Sequence, residues 1–286
     1  MKKLGITTES AADLPEKIIE KYNIGIVSFK VDLEKVKDFP GNMFEKMRMA
    51  EKKKVDCIVK TSQPSIADYV KLFKEKLNDF EEIIHVSTSS KVSGAYNSAI
   101  QATKFLGAQA SKVHILDSLK SSAAEGLLVI KAQEDIVRGL SLKEIIDNFN
   151  RRIKDTFIIF MYDKPIWVQA GGRFPKITQV VLQKMKDFNI SIVMREKGGV
   201  LKPMTIRNNV KELAEPIFEE FKKFTEKTKR KISVVIVHAD NEIEALKLKE
   251  KVETLKNVKV LYVKMLDVVL GAHAGPGSLL INFIYE

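Results

Sequence analysis

The sequence predicts an α/β protein of two domains, the first built on parallel strands and the second on a sheet of mixed direction. Three observations carry this. Before about residue 155, short β-branched runs alternate with amphipathic helical stretches, the pattern of parallel strands joined by helical crossovers. After Lys164 the texture changes to a Gly- and Pro-rich stretch followed by a hairpin pattern. The chain has 286 residues, 45% of them hydrophobic and 30% charged, enough for two ordinary folded domains.

In the first part the strand candidates are Lys3 to Thr8, Ile24 to Lys30, Glu82 to Thr88, Val113 to Leu116 and Thr156 to Met161. Helix starts are marked by Leu14-Pro15 before EKIIEKY, by Pro64-Ser65 with Asp68 three residues on, and by Ser141 with Glu144 as a capping box. Beyond Lys164 come the loop KPIWVQAGGRFPK and a helix from about Thr178. Two extended runs then flank Lys197-Gly198-Gly199, where glycines supply the positive φ of a tight turn. Strands are expected again at Ile232 to His238, Val258 to Val263 and Leu279 to Ile284, with a helix opened by Asn241 and Glu244 between the first two. The boundary is placed near residue 155, giving domains 1–155 and 156–286.

Composition excludes several classes. The first ten residues hold two lysines and only Leu4 to Ile6 as apolar material, short of the ~7 to 15 apolar residues of a signal-peptide core. No run approaches the ~20 apolar residues of a membrane span, and a single cysteine, Cys57, forms no internal disulfide. A cytoplasmic protein is therefore expected. Four scattered histidines suggest no metal cluster. The net charge of +11 sits largely on helical stretches that also carry acids, such as KLFKEKLNDFEE and EALKLKEKVETLK. That pattern reads as solvated helix faces and not as a nucleic-acid footprint. An acidic lipid, an acidic partner or transient contact with an anionic membrane surface is the alternative use of the charge.

No P-loop, GxGxxG, HExxH or GxSxG motif is present. What remains is a set of hydroxyl-rich loops at strand ends, where open parallel sheets bind ligands: Thr7 to Ser10, Thr61 to Ser65, Ser87 to Gly94, and Asp117-Ser118. Ser93-Gly94 opens the helical AYNSAIQATKFL, so Ser93 is read as an N-cap beside unpaired N–H groups that favour a carboxylate or phosphate. Ser and Thr are equally the ordinary residues of caps and turns, and spacing alone does not separate the two readings. His85, His114 and His238 lie in apolar strands, as hydrogen-bonded core or sheet-end residues do. His273 differs: it lies in GAHAGPG, read as a glycine-rich loop that approaches something closely. Arg173, after Gly171-Gly172, is suited to pairing with an anion.

In order along the chain, these segments form a signature. Thr8 to Pro15 (TESAADLP), Thr61 to Ser65 (TSQPS), Ser89 to Tyr96 (SSKVSGAY), Asp117-Ser118, Gly171-Gly172-Arg173, Arg207, and His273 to Gly277 (HAGPG) resemble the motifs of the DegV family from end to end. Departures are Glu9 where the family usually has Asp, Ala11 and Ala274 where it usually has Thr, and WVQA before the GGR loop.

The resemblance implies a three-layer α/β/α first domain with a mainly parallel sheet and a two-layer second domain with a mixed sheet. It also implies one bound long-chain fatty acid, such as palmitate or oleate, with its carboxylate near Thr61 and Ser93 and its tail in an apolar tunnel of the second domain. Ser62, Gly94 and His273 complete the expected carboxylate contacts, and Arg173 and Arg207 are assigned to phosphate or partner contact. In better-understood members the protein is the lipid-carrying subunit of a fatty acid kinase. A dihydroxyacetone-kinase-like subunit supplies ATP and magnesium, so no intrinsic cofactor, metal or independent catalysis is expected. Phe160, Ile166, Leu182 and Ile192 are tunnel candidates that serve equally well as core. A stand-alone acyl hydrolase using Ser93 with His273, and a carrier of another anionic small molecule, are the competing readings.

Overall fold

Alternating strands and helices in the first half of the chain fold into a four-stranded parallel sheet, described in a computed structural model that covers residues 2–164, 166, 167 and 179–286. The chain forms two compact units. The first comprises Met1–Lys30, Ser62–Thr156 and Gly198–Val200; the second comprises Val31–Thr61, Phe157–Lys197 and Leu201–Glu286. One passage between them falls at Thr156 to Phe157, and the segment Val31–Thr61 counts with the second unit.

In the first unit, β1 (Lys2–Glu9), β2 (Gly25–Val27), β5 (Phe80–Ser87) and β6 (Val113–Asp117) pair in the order β2-β1-β5-β6. All neighbours run parallel. Helices α1 (Glu16–Tyr22), α3 (Ile66–Asp79) and α4 (Ala95–Thr103) lie in the connections between these strands, and α5 (Ser122–Val137) and α6 (Leu142–Lys154) follow β6. Strand alternation sends Ile83 into a cluster with Tyr69, Phe73 and Ala99 of α3 and α4. Thr8, in contrast, meets Glu125 of α5. Helices thus cover both faces, giving three layers. From β1 the chain turns to β2 on one side, while β5 continues to β6 on the other. The carboxyl ends of β1 and β5 therefore flank a switch point, where such sheets open a crevice for ligand.

The second unit holds a six-stranded sheet in the order β11-β10-β12-β7-β8-β9. Its strands are β7 (Thr156–Met161), β8 (Ile190–Lys197), β9 (Val200–Asn208), β10 (Ile232–His238), β11 (Val258–Met265) and β12 (Leu279–Tyr285). β10 runs parallel to β11 and antiparallel to β12, so the sheet is mixed. One face packs Ile159, Val234, Ile281 and Phe283 into a core with Ile217, Phe221 and Leu248 of α8 (Ala214–Thr225) and α9 (Glu242–Glu253). Phe283 lies at 4.9 Å centroid distance, edge-on, to Phe221. The alternate residues Phe160, Val235, Val237, Leu280 and Ile284 are also buried but belong to the other face. Helix α7 (Gln179–Asp187) precedes the hairpin β8–β9, as expected from the Gly-Gly turn.

Several local expectations are refined. The run Ile24 to Lys30 is interrupted: β2 ends at Val27, and a separate β3 (Lys30–Asp32) pairs with β4 (Lys60–Ser62). Helix α2 (Met43–Lys52) was not expected, although Asn42 and Glu45 form a full capping box at its start. Ser65 with Asp68, and Ser141 with Glu144, cap α3 and α6 as expected. Asn241 stands at the start of α9, but its side chain donates to the Gly277 carbonyl at 2.7 Å and does not cap. Among the described residues no helix is long and apolar enough to cross a membrane.

Candidate functional site

Two groups of sequence-expected residues take shape, one in each unit. In the second unit Thr61, on β4, lies 2.8 Å from Nε2 of His273. The two are 212 residues apart in sequence and both half-buried, so only the completed fold brings them together. His273 is not in a loop: it occupies the last turn of α10 (Val268–Ala274), which Asp267 caps through the Val269 N–H at 2.9 Å. The loop begins at Gly275, whose φ of 73° and lack of a Cβ are both required. A Cβ there would sit 2.1 Å from the Trp167 ring. Gly277 is tied back to the end of β10 by its N–H to the Ala239 carbonyl at 2.7 Å. His273 is therefore presented by a short helix locked at both ends. The Trp167 Nε1–H is buried and has no hydrogen-bond partner among the described residues.

In the first unit the loop after β5 carries Ser93 and Gly94. The N-cap of α4 is Gly94 and not Ser93, because the helix begins one residue later than expected. Ser93 Oγ accepts from the Ala95 N–H at 3.2 Å, which engages a lone pair and leaves the hydroxyl proton able to donate. Gly94 makes room for Gln63, since a Cβ at 94 would fall 2.2 Å from Gln63 Oε1. Gln63 in turn donates to Ser98 Oγ at 2.7 Å, so the TSQPS loop lies across the start of α4. Ser62 is exposed at the end of β4. Asp117 holds the neighbouring loops, accepting from Leu119 N–H at 3.0 Å and Ser90 N–H at 3.2 Å.

Proteins of similar sequence and fold are known. The DegV family model, described as "Uncharacterised protein, DegV family", matches residues 3–286. The chain belongs to the DegV family. A curated relative from Thermotoga maritima, named fatty acid-binding protein, is 29% identical over 287 residues, covering 96% of each chain. A solved structure of a Thermotoga maritima protein, described as revealing a fatty acid binding function, is 26% identical, with TM-score 0.79 and full coverage of both chains. A DegV family protein from Thermus thermophilus, described for its fatty acid binding, is 22% identical and shares the fold at TM-score 0.86 over 99% of this chain and 100% of that one.

The other expected contacts of this DegV-family chain divide. Arg173 and the side chain of Leu182 lie outside the described residues. Arg207 is engaged by two carboxylates, Glu219 at 3.0 Å and the buried Glu220 at 2.8 Å. Glu220 also accepts from Thr205 and Lys223, which shows Arg207 as part of a structural ion cluster. Burial would raise the Glu220 carboxyl, but the bonds from Lys223, Thr205 and Arg207 outweigh it and hold it below its ordinary value. Of the tunnel candidates, Phe160 is buried, Ile192 half-buried and Ile166 exposed.

Sequence reading missed a buried polar cluster beneath the β1 and β5 ends. Glu9 accepts from the Tyr69 hydroxyl at 2.7 Å, His85 Nε2 at 3.1 Å, the Ser87 hydroxyl at 2.8 Å and the Thr88 N–H at 3.0 Å. Glu125 of α5 meets Thr8 and Thr88 hydroxyls at 2.9 and 2.7 Å. Both carboxyls are fully buried. The available signal was Glu125 within the apolar run Ala123 to Ile130, since a buried acid is rare unless partnered, whereas Glu9 stands among the hydroxyls of Thr7 to Ser10 and gives none.

Proposed function

We propose that this chain binds one long-chain fatty acid and presents its carboxylate to a separate ATP-dependent kinase subunit, which forms the acyl phosphate. The observation that carries the reading is the Thr61–His273 hydrogen bond, which joins two of the family's motif segments through side chains suited to an anionic head group. The fatty acid-binding relatives support the ligand class. With His273 Nε2–H donating to Thr61 Oγ, His273 orients Thr61 and leaves the Thr61 hydroxyl proton for the carboxylate; Ser62, Ser93 and Gly94 keep the carboxylate-binding role that the family resemblance implies. Hydroxyls and N–H groups stabilise the anion without the bidentate grip of an arginine, so its oxygen keeps the nucleophilicity needed to attack phosphorus.

The acyl tail is assigned to the buried apolar face of the six-stranded sheet that carries Phe160, Val235 and Leu280. At about 0.8 kcal/mol for each buried CH₂, a tail of ~16 carbons offers on the order of 10 kcal/mol before ordering costs. The tail thus supplies affinity, and the head group supplies chemistry.

The hydrolase reading loses support. A serine nucleophile needs a histidine base, yet His273 Nε2 is committed to Thr61 and Ser93 Oγ accepts from Ala95. Arg173 is assigned to the transferred phosphoryl group or the kinase surface. The test is reconstitution: protein with ATP, magnesium and palmitate is expected to give acyl phosphate only after a dihydroxyacetone-kinase-like subunit is added. Turnover by the chain alone would contradict the assignment.

A further inference from the structure

Two carboxyls buried together cannot both be ionised without a large cost, because each is already desolvated and each repels the other. The hydrogen bonds around Glu9 and Glu125 show how the cost is avoided. Glu9 receives four donors, from Tyr69, His85, Ser87 and the Thr88 backbone, and is arranged as an anion. Among the described residues Glu125 meets two hydroxyls, of Thr8 and Thr88, and Thr88 is the residue that both carboxyls hold. Thr8 sharpens the asymmetry. Its hydroxyl lies 2.8 Å from the Val86 carbonyl and 2.9 Å from Glu125 Oε1, and its single proton cannot serve both. A carbonyl only accepts, so a proton on Glu125 satisfies every contact.

We infer that Glu9 is held as the carboxylate and Glu125 as the neutral acid, its proton directed at Thr8, and that this pair, through Thr88, positions the loop that carries Ser93 and Gly94. Thr88 is the first residue after β5, and each carboxyl holds one of its groups: Glu9 the N–H at 3.0 Å, Glu125 the hydroxyl at 2.7 Å. The direction of departure of the loop is thereby set by two buried groups. Glu9 is held below its ordinary value: burial would raise it, but His85, Tyr69 and Thr88 outweigh that. Glu125 is raised well above its ordinary value, by burial first and by the Glu9 charge second. The other ionisable groups on packed elements are His85 on β5, Tyr69 on α3, Asp13 on the turn after β1, which accepts from Ser122 at 2.7 Å, and Lys120 in the loop before α5. The rival arrangement is two carboxylates with the balancing proton on His85.

The two arrangements predict different behaviour with pH. A neutral Glu125 means that folding takes up a proton above the ordinary carboxylate range, so its contribution to stability declines as pH rises towards its own titration. Glu9 acts in the opposite sense, losing its contribution as pH falls below that range. Glu125→Gln keeps a neutral group with a donor and an acceptor and removes only the first effect. Infrared spectra of full-length protein with carbon-13-labelled glutamate, near neutral pH, are expected to show a protonated carboxyl stretch that Glu125→Gln lacks. The melting-temperature difference in favour of Glu125→Gln is expected to widen between about pH 5 and about pH 8. A wild-type spectrum with no protonated carboxyl, or a difference independent of pH, overturns the pair. Should Glu125→Gln fail to fold, the wild-type band and its loss on alkaline titration still decide the question.

The positioning half rests on the proposed head-group role of the loop and is tested with palmitate. Wild-type affinity is expected to fall, by up to about tenfold per pH unit, once Glu125 titrates, and to stay level in Glu125→Gln. Thr88→Val is expected to weaken palmitate binding at every pH, with Thr88→Ser restoring it. Identical pH profiles in wild type and Glu125→Gln, or a Thr88→Val protein of wild-type affinity, overturn the positioning role. If wild type binds no fatty acid, the proposed function fails, while the infrared and melting measurements still decide the pair.

Discussion

Thr61 is the residue on which the head-group proposal leans most, because its hydroxyl is already held at 2.8 Å by His273 and offers the donor a carboxylate needs. Thr61→Val keeps the shape and removes the donor. It is expected to weaken palmitate binding by about 10- to 150-fold, the equivalent of roughly 1.5 to 3 kcal/mol for a hydrogen bond to a charged group. The methyl ester of the same chain length, which carries no charge, is expected to bind both proteins alike. Calorimetric titration of acid and ester against wild type, Thr61→Val and Ser93→Ala checks this. Equal weakening of acid and ester, with falling melting temperature, would show that Thr61 and Ser93 serve the fold alone. Gly275 makes a separate residue-scale prediction. Gly275→Ala forces a side chain onto a φ of 73° and against the Trp167 ring. It is expected to cost about 1 to 3 kcal/mol in denaturant unfolding.

At the scale of elements, what is legible in the sequence is what local chemistry decides. Ser65 with Asp68 and Ser141 with Glu144 lie three residues apart, and both form the reciprocal capping box the spacing implies. Ser141→Ala is expected to destabilise the protein by about 0.5 to 2 kcal/mol without touching palmitate affinity, as denaturant unfolding beside ligand titration would show. The same signal stands at Asn42 and Glu45, where it marks the unexpected α2. His273 reads as loop because Gly271 and Gly275 bracket it, although of these only Gly275 takes a positive φ. Glycine content alone does not distinguish a helix end from the loop after it. The Glu9–Glu125 cluster is illegible for a different reason. Its members stand on β1, α3, β5 and α5, and only the completed sheet brings residues 116 positions apart in sequence within reach. In the second unit the packing is likewise a product of the fold. Phe283→Ala removes a ring stacked on Phe157 and edge-on to Phe221, and is expected to cost about 3 to 5 kcal/mol by thermal or denaturant unfolding.

For the whole molecule, the charge of +11 is carried largely by helices that also hold acids. Many of its lysines are paired with acids on the same or neighbouring helices, as Lys247 is with Glu212 and Glu244, and Lys249 with Glu253. Such exposed pairs contribute little to stability but leave few large fields of one sign. Membership of the DegV family spans residues 3–286, and the ordered short motifs that signal it are spread over the same length. The division of the chain is harder to read, because Val31–Thr61 joins the second unit through contacts made far along the sequence. The central claim is that the chain is a fatty acid carrier, and it is tested most directly by denaturing purified protein, extracting it with organic solvent and identifying what is released by mass spectrometry. The account predicts about one long-chain fatty acid per chain, or uptake of one equivalent of added palmitate or oleate by protein purified empty. A protein that yields no fatty acid and takes up neither would contradict it.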